Sequence, residues 1–285
     1  MQRFQIGAIT DEFSPDIRVA SASMQSLGME ASELRMVFGK NIIDLTDNEI
    51  DEAVAIVKSH GLPVVSLASP LLKCTLPNAP DTDSRFQQDA FASKHTFEDQ
   101  PRLTKRAFEI AHRTGARIIR VFTYWRTIDP PAVFDRIVEA LANLAALAAK
   151  EDLIIGLENE HACNVATGGE TRKVLDVIDH PSLQVVWDPA NAYISGEKPF
   201  PEGYSQLPAS RIAHVHAKDC KLQGHTPIWG PLGEQDIEWR GQIDALVRDG
   251  YHGYINLETH WPGPGGDKHE ASMICGRNLR QLVEA

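Results

Sequence analysis

The stretch PAVFDRIVEALANLAALAAKEDLIIGLEN (131–159) contains the unit from which the fold is inferred. Residues 131–151 have the pattern of an amphipathic helix, and residues 152–159 form a short apolar run that ends at Glu158 and Asn159. A short apolar run bounded by polar residues is typical of a buried strand. A helix that leads into such a strand is the repeating unit of proteins with a parallel sheet.

The same alternation continues on both sides of this unit. Eight short apolar segments are predicted to be strands, and each is followed by a helix or a helical segment. The predicted strands are residues 4–10, 31–37, 62–69, 116–124, 152–159, 183–188, 211–219 and 251–259. Units spaced about 35 residues apart account for the 285 residues and favour an α/β fold, a closed (β/α)8 TIM barrel. We predict that residues 1–285 form this barrel as a single domain.

An open doubly wound sheet is the main alternative fold. Its usual nucleotide-binding forms carry GxGxxG after the first strand or GxxxxGK[ST], and this sequence has neither motif.

Two local features are also predicted. Ser14 and Pro15 are expected to begin the first helix as its N-cap and first helical residue. Residues 70–98 are expected to form a long loop with short helical pieces.

The composition is that of an ordinary globular protein with a net negative charge. Hydrophobic residues make up 42%, and 39 acidic against 28 basic residues give a net charge of −11. An acidic surface repels phosphate backbones, so no nucleic-acid partner is expected. No apolar run approaches the roughly 20 residues that cross a bilayer, and no signal-peptide pattern is present, so we expect a cytoplasmic protein without membrane contact. The four cysteines form no CxxC pair and are expected to be free thiols.

The last four predicted strands end in polar residues, at the edge where such barrels place their reactive groups. These residues are Glu158, Asp188, His216 and Glu258. Each one alone is more typical of a helix cap, a solvated charge or a packed histidine, but four on successive strands would meet at one place. Three carboxylates and an imidazole suit one divalent metal ion, Mn²⁺ first and Mg²⁺, Co²⁺ or Zn²⁺ after it. The repulsion between unpaired carboxylates also favours a metal site.

These strand ends resemble a known family. The motifs are LENEH (157–161), WDPANAY (187–193), HVHAKD (214–219), PLGEQDIEW (231–239) and GYHGYINLETHW (250–261). As a set they resemble the sugar phosphate isomerase/epimerase superfamily, a group of xylose isomerase-like barrels that includes ketose 3-epimerases, inosose dehydratases and endonuclease IV. Shorter matches nearer the start, ITDEF, ELR and SPLLKC, extend the resemblance over the whole length.

The resemblance implies a metal-dependent isomerase or epimerase of carbohydrate metabolism. By position, Glu158, Asp188, His216 and Glu258 match the family's metal ligands, and the two glutamates match the acid/base pair of its epimerases. The implied first step removes a proton next to a metal-bound carbonyl of a keto-sugar. Return of the proton to the other face is epimerisation, and return to the adjacent carbon is isomerisation. Loss of a β-hydroxyl is dehydration, so a dehydratase (lyase) of a keto-inositol or related polyol is the alternative.

Further residues near the strand ends are expected to contact a sugar or polyol substrate. These are Glu33, Lys73, Arg120, His161, Asn191, Lys218 and His260. An internal ion pair is the alternative interpretation of Glu33 and Arg35. Ketose 3-epimerases have a histidine at the position of Asn191. An amide side chain cannot titrate as a histidine does, so we expect the substrate contacts at Asn191 to differ from those of the epimerases. Trp125 and loop 70–98 are candidates for a lid.

Other functions have less support in the sequence. An endonuclease IV-like hydrolase would need three zinc ions and several histidines on the second to fourth strands, which contribute none. A barrel that binds a sugar without converting it is disfavoured by the intact glutamate pair. No Gly-rich phosphate loop follows the seventh strand, which favours a non-phosphorylated substrate. The acidic surface and the Ala- and Leu-rich helix 131–151 would suit a homodimer or homotetramer.

Overall fold

The computed structural model describes residues 4–86 and 94–284, and its central feature is a closed barrel of eight parallel strands. The strands are β1 (Gln5–Ile9), β2 (Ala31–Leu34), β3 (Val64–Leu71), β4 (Ile118–Val121), β5 (Ile154–Glu158), β6 (Leu183–Trp187), β7 (Ile212–Ala217) and β8 (Tyr254–Leu257). Each strand pairs with the next one along the chain, and β1 pairs with β8 to close the barrel. The predicted TIM barrel is confirmed. The assignment of residues 1–285 to one domain stays a prediction.

Helices connect the strands around the outside of the barrel. Within the described residues the main helices are α1 (Ile17–Ser26), α2 (Asp47–Ser59), α3 (Gln100–Thr114), α4 (Phe134–Ala149), α5 (Gly168–Val177), α6 (Pro189–Ile194), α7 (Trp239–Arg248) and α8 (Lys268–Glu284). The start of α1 corrects one prediction. Its N-cap is Asp16, whose side chain accepts the N–H of Arg18, and its first residue is Ile17 instead of Pro15. Ser14 and Pro15 lie before the helix, and Ser14 Oγ accepts the N–H of Asp16. Asp16 is the cap because its carboxylate reaches an otherwise unpaired N–H of the first turn.

Three connections at the carboxyl ends of strands differ from the predicted pattern. After β2 the chain forms a short antiparallel pair, Met36–Val37 with Lys40–Asn41, so the predicted strand 31–37 ends at Leu34. After β7 the chain forms an antiparallel hairpin, Cys220–Gln223 with Thr226–Trp229, before it reaches a helix. In loop 70–98, residues 70–86 and 94–98 contain isolated turns but no helix, so the expected helical pieces are absent from this part. The rest of that prediction falls on residues 87–93, which lie outside the described residues.

The cysteines and the helices bear on two further expectations. All four cysteines lie in the described part of the chain as buried free thiols. None of the helices that the structure describes has both the length and the apolarity needed to cross a membrane.

Gly7 of β1 lies where the barrel leaves no room for a side chain. It pairs with Ala31 of β2 and Asn256 of β8, and a Cβ atom here would lie 2.5 Å from Asn256 Oδ1 and 2.6 Å from the Ala31 carbonyl oxygen. Gly7→Ala is therefore expected to lower the free energy of unfolding by about 1–3 kcal/mol, the usual cost of overpacking. Urea unfolding checks this, with Gly169→Ala as control because the nearest atom to a Cβ there is Glu197 Oε1 at 3.4 Å. Equal stability of the two variants would contradict the expected strain.

Candidate active site

The four residues predicted as metal ligands lie together at the carboxyl ends of β5 to β8. Glu158 is the last residue of β5, Asp188 follows β6, His216 lies near the end of β7 and Glu258 follows β8. One oxygen or nitrogen atom from each lies within 4.8 Å of the corresponding atoms of the other three. None of the four residues is more than 4% exposed. We call these four residues the ligand cluster.

Hydrogen bonds fix the position of Asp188 within the ligand cluster. Asp188 is the N-cap of α6, and its Oδ1 accepts the N–H of Asn191 at 2.9 Å. Asn159 holds the Asp188 backbone from the other side: its side chain accepts the Asp188 N–H and donates to the Asp188 carbonyl, both at 2.8 Å. The second oxygen, Oδ2, accepts no hydrogen bond, and neither does Oε2 of Glu158. Each of these buried oxygens instead lies in an ion pair, Asp188 Oδ2 with Lys218 and Glu158 Oε2 with Arg120, and a bound metal ion would take the place of these cations as its partner.

Lys218 and Arg120 lie beside these oxygens. Lys218 Nζ is 2.8 Å from Asp188 Oδ2 and 3.0 Å from Glu258 Oε2. Arg120 Nη1 is 3.2 Å from Glu158 Oε2. The structure thus brings two of the three cations predicted to contact substrate into direct contact with the ligand cluster, whereas Lys73 lies beside Glu160.

Arg35 connects the ligand cluster to acidic residues that follow β1. Its guanidinium lies 3.1 Å from Glu258 Oε1, 2.8 Å from Asp11 Oδ2 and 2.5 Å from Glu12 Oε1. The Arg35 side chain is 3% exposed. The sequence interpretation of Arg35 as part of an internal ion pair agrees with this placement, but its partners are Asp11 and Glu12 of ITDEF together with Glu258, and not Glu33.

Acidic side chains outnumber basic ones around the ligand cluster. Seven carboxylates and four cations contact one another or His216, and each of these side chains is at most 9% exposed. The carboxylates are Asp11, Glu12, Glu33, Glu158, Glu160, Asp188 and Glu258, and the cations are Arg35, Lys73, Arg120 and Lys218. A buried excess of negative charge is costly unless it is compensated. A divalent ion would remove most of this excess, so the residues present fit such an ion.

Burial and neighbouring charges shift the pKa values of two carboxylates in opposite directions. Burial raises the pKa of Asp188 to about 6, against the opposing effect of Lys218. Burial also acts to raise the pKa of Glu258, but Lys218 and His216 hold that pKa well below its usual value. A positive charge near Glu258 therefore keeps it ionised and makes it a weak proton acceptor.

A polar network lies beside Glu158 and includes three predicted substrate-contacting residues. Asn191 Nδ2 is 3.4 Å from Glu158 Oε1, and Asn191 Oδ1 is 2.9 Å from His161 Nδ1. His161 also lies 3.0 Å from Glu160, whose other oxygen is 3.7 Å from Lys73 Nζ. The His161 side chain is 23% exposed, so this network reaches from the buried cluster to solvent. Glu160 was not among the predicted site residues, although LENEH contains it.

Aromatic rings lie on the other side of the ligand cluster. Trp229, from the hairpin after β7, packs against His260 with ring centroids 4.7 Å apart, and Lys218 Nζ lies 5.8 Å from the Trp229 ring. Trp229 could not be assigned from the sequence because the hairpin itself was not predicted. Trp125, a candidate for the lid, is 6% exposed and packs beside Phe122.

Glu33 is placed deeper than the substrate contact expected of it. It is fully buried and contacts Ser66, His214, His216 and Asn256 inside the barrel. These contacts connect Glu33 to the ligand cluster through His216.

The fold and the ligand cluster define a class of protein: parallel (β/α)8 barrels that gather carboxylates and an imidazole at the carboxyl ends of their strands. Within this class, a family model described as a xylose isomerase-like TIM barrel matches residues 22–279. The chain therefore belongs to the xylose isomerase-like TIM barrel family, as its motifs indicated.

Curated relatives of this chain carry the name inosose dehydratase. The protein from Bacillus cereus (strain AH820) is 31% identical over 90 residues, which cover 32% of this chain and 30% of that protein. The protein from Lactiplantibacillus plantarum is 21% identical over 167 residues, which cover 53% of this chain and 55% of that protein. The matches thus span between about a third and about half of these relatives' lengths.

Solved structures with the same fold include proteins of different activities. The IOLI protein with a bound zinc atom has a TM-score of 0.75 at 14% identity, covering 99% of this chain and 98% of that one. The probable 3-DHS dehydratase AsbF from Bacillus anthracis has a TM-score of 0.68 at 18% identity, with 95% and 97% covered. A D-allulose 3-epimerase from Methylomonas sp. has a TM-score of 0.68 at 18% identity, with 100% and 98% covered. At these identities the similarity concerns the fold alone.

Proposed function

We propose that this chain is a divalent-metal-dependent isomerase or epimerase that transfers a proton at the carbon next to the carbonyl of a keto-sugar. The observation that carries the proposal is the ligand cluster, in which two buried glutamates from β5 and β8 lie on either side of Asp188 and His216 in the order of the strands. We infer from this order that the two glutamates flank a bound substrate. Removal of a proton from one face of a carbon and its return to the other face require a carboxylate on each side.

The ligand cluster would hold the metal through Glu158, Asp188, His216 and Glu258. Mn²⁺ is the proposed ion because three carboxylates and one imidazole suit it, and the zinc atom in the IOLI protein keeps Zn²⁺ as an alternative beside Mg²⁺ and Co²⁺. When bound, such an ion would polarise the substrate carbonyl and make the adjacent C–H more acidic.

The two glutamates have different surroundings, which suggests different roles. Glu158 Oε2 accepts no hydrogen bond and has one cation beside it, Arg120 Nη1 at 3.2 Å, and we assign Glu158 as the residue that takes the proton. Glu258 is held by Lys218 and Arg35, and its lowered pKa makes it the weaker proton acceptor. We assign His161, Asn191 and His260 to substrate hydroxyl groups, because His161 and His260 are partly exposed and Asn191 hydrogen-bonds to His161.

Dehydration of a keto-inositol or related polyol is the second candidate reaction. It needs one proton acceptor and a proton donor for the departing hydroxyl, so the asymmetry between Glu158 and Glu258 favours it. Lys218 Nζ, 2.8 Å from Asp188, is a hydrogen-bond donor next to the ligand cluster, although the carboxylates around it hold its pKa well above the usual value and so make it a weak acid. The name of the curated relatives, inosose dehydratase, also supports this candidate.

The test is a panel of non-phosphorylated ketoses and keto-inositols incubated in D₂O with Mn²⁺-loaded enzyme and followed by NMR. Deuterium at an inverted carbon identifies an epimerase, and deuterium in an aldose product identifies an isomerase. Loss of water with an unsaturated ketone as the product identifies a dehydratase. Absence of exchange and of product with every member of the panel would contradict the proposed proton transfer.

A further inference from the structure

Glu33 accepts hydrogen bonds from four residues inside the barrel. Its Oε2 lies 3.0 Å from His214 Nε2, 3.0 Å from His216 Nε2 and 3.1 Å from Asn256 Nδ2. Its Oε1 accepts from Ser66 Oγ at 2.9 Å. All five residues are 0% exposed, so no water competes for these bonds.

The contact with Glu33 determines which nitrogen of His216 carries the proton. A carboxylate can only accept, so the His216 nitrogen that faces it, Nε2, must be the donor. Without a metal ion the other nitrogen, Nδ1, also faces only carboxylate acceptors and so donates as well, and a bound ion would take the place of that proton. Nδ1 lies 3.2 Å from Glu158 Oε1 and 3.4 Å from Glu258 Oε2, within the ligand cluster.

We propose that Glu33 is a positioning residue for the metal centre, because it holds His216 in the Nε2–H tautomer and so presents Nδ1 as the metal ligand. This inference rests on the proposed function, since it requires that the ligand cluster binds a divalent ion. A carboxylate that orients a metal-bound histidine commonly raises metal affinity. Glu33 therefore acts on the metal through His216 without contacting the substrate.

A second metal ion between Glu33, His214 and His216 is the competing interpretation. Atoms of these three residues also lie within 4.8 Å of one another. However, Oε2 of Glu33 already accepts hydrogen bonds from His214, His216 and Asn256, and a metal ion bound to it would displace these donors. The satisfied hydrogen bonds favour an orienting carboxylate, and the stoichiometry of bound metal separates the two interpretations.

The test compares the Mn²⁺ dissociation constants of wild type, Glu33→Gln and His214→Gln by titration. His214 is the matched control because it contacts the same oxygen of Glu33 but does not belong to the ligand cluster. We expect Glu33→Gln to weaken Mn²⁺ binding by about 10- to 100-fold, the usual effect of losing such a partner. His214→Gln should stay close to wild type. Equal dissociation constants for wild type and Glu33→Gln, equal weakening in both variants, or two ions per wild-type chain would overturn the inference.

A measurement on the wild-type protein does not depend on how the variants fold. In protein with ¹⁵N-labelled histidine rings and bound Zn²⁺, we expect His216 to show a protonated Nε2 and a metal-bound Nδ1. Metal on Nε2 would overturn the role of Glu33 while leaving the proposed function intact. A wild-type protein that binds no divalent ion would overturn both.

Discussion

Glu158→Gln is expected to lower the rate of deuterium incorporation from solvent by at least about 100-fold at saturating Mn²⁺. The amide cannot accept the substrate proton that we assign to Glu158. It also replaces a charged ligand by a neutral one, so the Mn²⁺ concentration needed for saturation should rise. NMR exchange rates on the substrate that the panel identifies, measured over a range of Mn²⁺ concentrations, separate the two effects.

Glu151→Gln is the control for this variant. Glu151 lies shortly before β5, and Glu158 is the last residue of that strand. The Glu151 side chain is 51% exposed and, among the contacts described, pairs only with His112. The exchange rate of Glu151→Gln should match that of wild type. A Glu158→Gln enzyme with wild-type exchange at saturating Mn²⁺ would show that another group takes the proton.

Arg35→Met is expected to lower the free energy of unfolding by about 3–5 kcal/mol, the cost of removing one partner from a buried ion pair. Arg35 lies between Asp11, Glu12 and Glu258 with its side chain 3% exposed. Without the guanidinium these carboxylates would face one another in a medium of low polarity. Denaturant unfolding of the metal-free protein measures the loss.

Arg18→Met is the matched control for the stability measurement. Arg18 forms an ion pair of similar length, 2.9 Å to Glu52, but the two side chains are 64% and 55% exposed. Exposed ion pairs contribute at most about 1 kcal/mol, so this variant should stay close to wild type. Similar losses for Arg18→Met and Arg35→Met would contradict the importance of burial for the Arg35 network.

The barrel could be predicted from the sequence because its strands and helices alternate with local signals. Each buried strand is a short apolar run, and the helices between them have one apolar face. The hairpin Cys220–Gln223 with Thr226–Trp229 could not be predicted in the same way. Each of its strands is only four residues long, and although Cys220–Gln223 alternates apolar and polar residues, Pro227 interrupts the second strand, so the pair lacks a continuous strand signal.

The positions of the ligand cluster could also be predicted, because the ends of successive parallel strands meet at one edge. The buried position of Glu33 could not be predicted, since strand alternation states which face a residue occupies but not how deep its side chain lies. The partners of Arg35 are more than 20 residues away in the chain, and no periodic pattern connects them. Such contacts depend on how the strands register in three dimensions.

Anomalous diffraction from crystals soaked in Mn²⁺ tests the central claim most directly, because it locates the ion without reference to a substrate. We predict one peak per chain, within about 2–2.5 Å of oxygens from Glu158, Asp188 and Glu258 and of His216 Nδ1. The absence of a peak at these residues, or a peak between Glu33 and His214 alone, would contradict the account of this barrel as a metal-dependent enzyme with its ion in the ligand cluster.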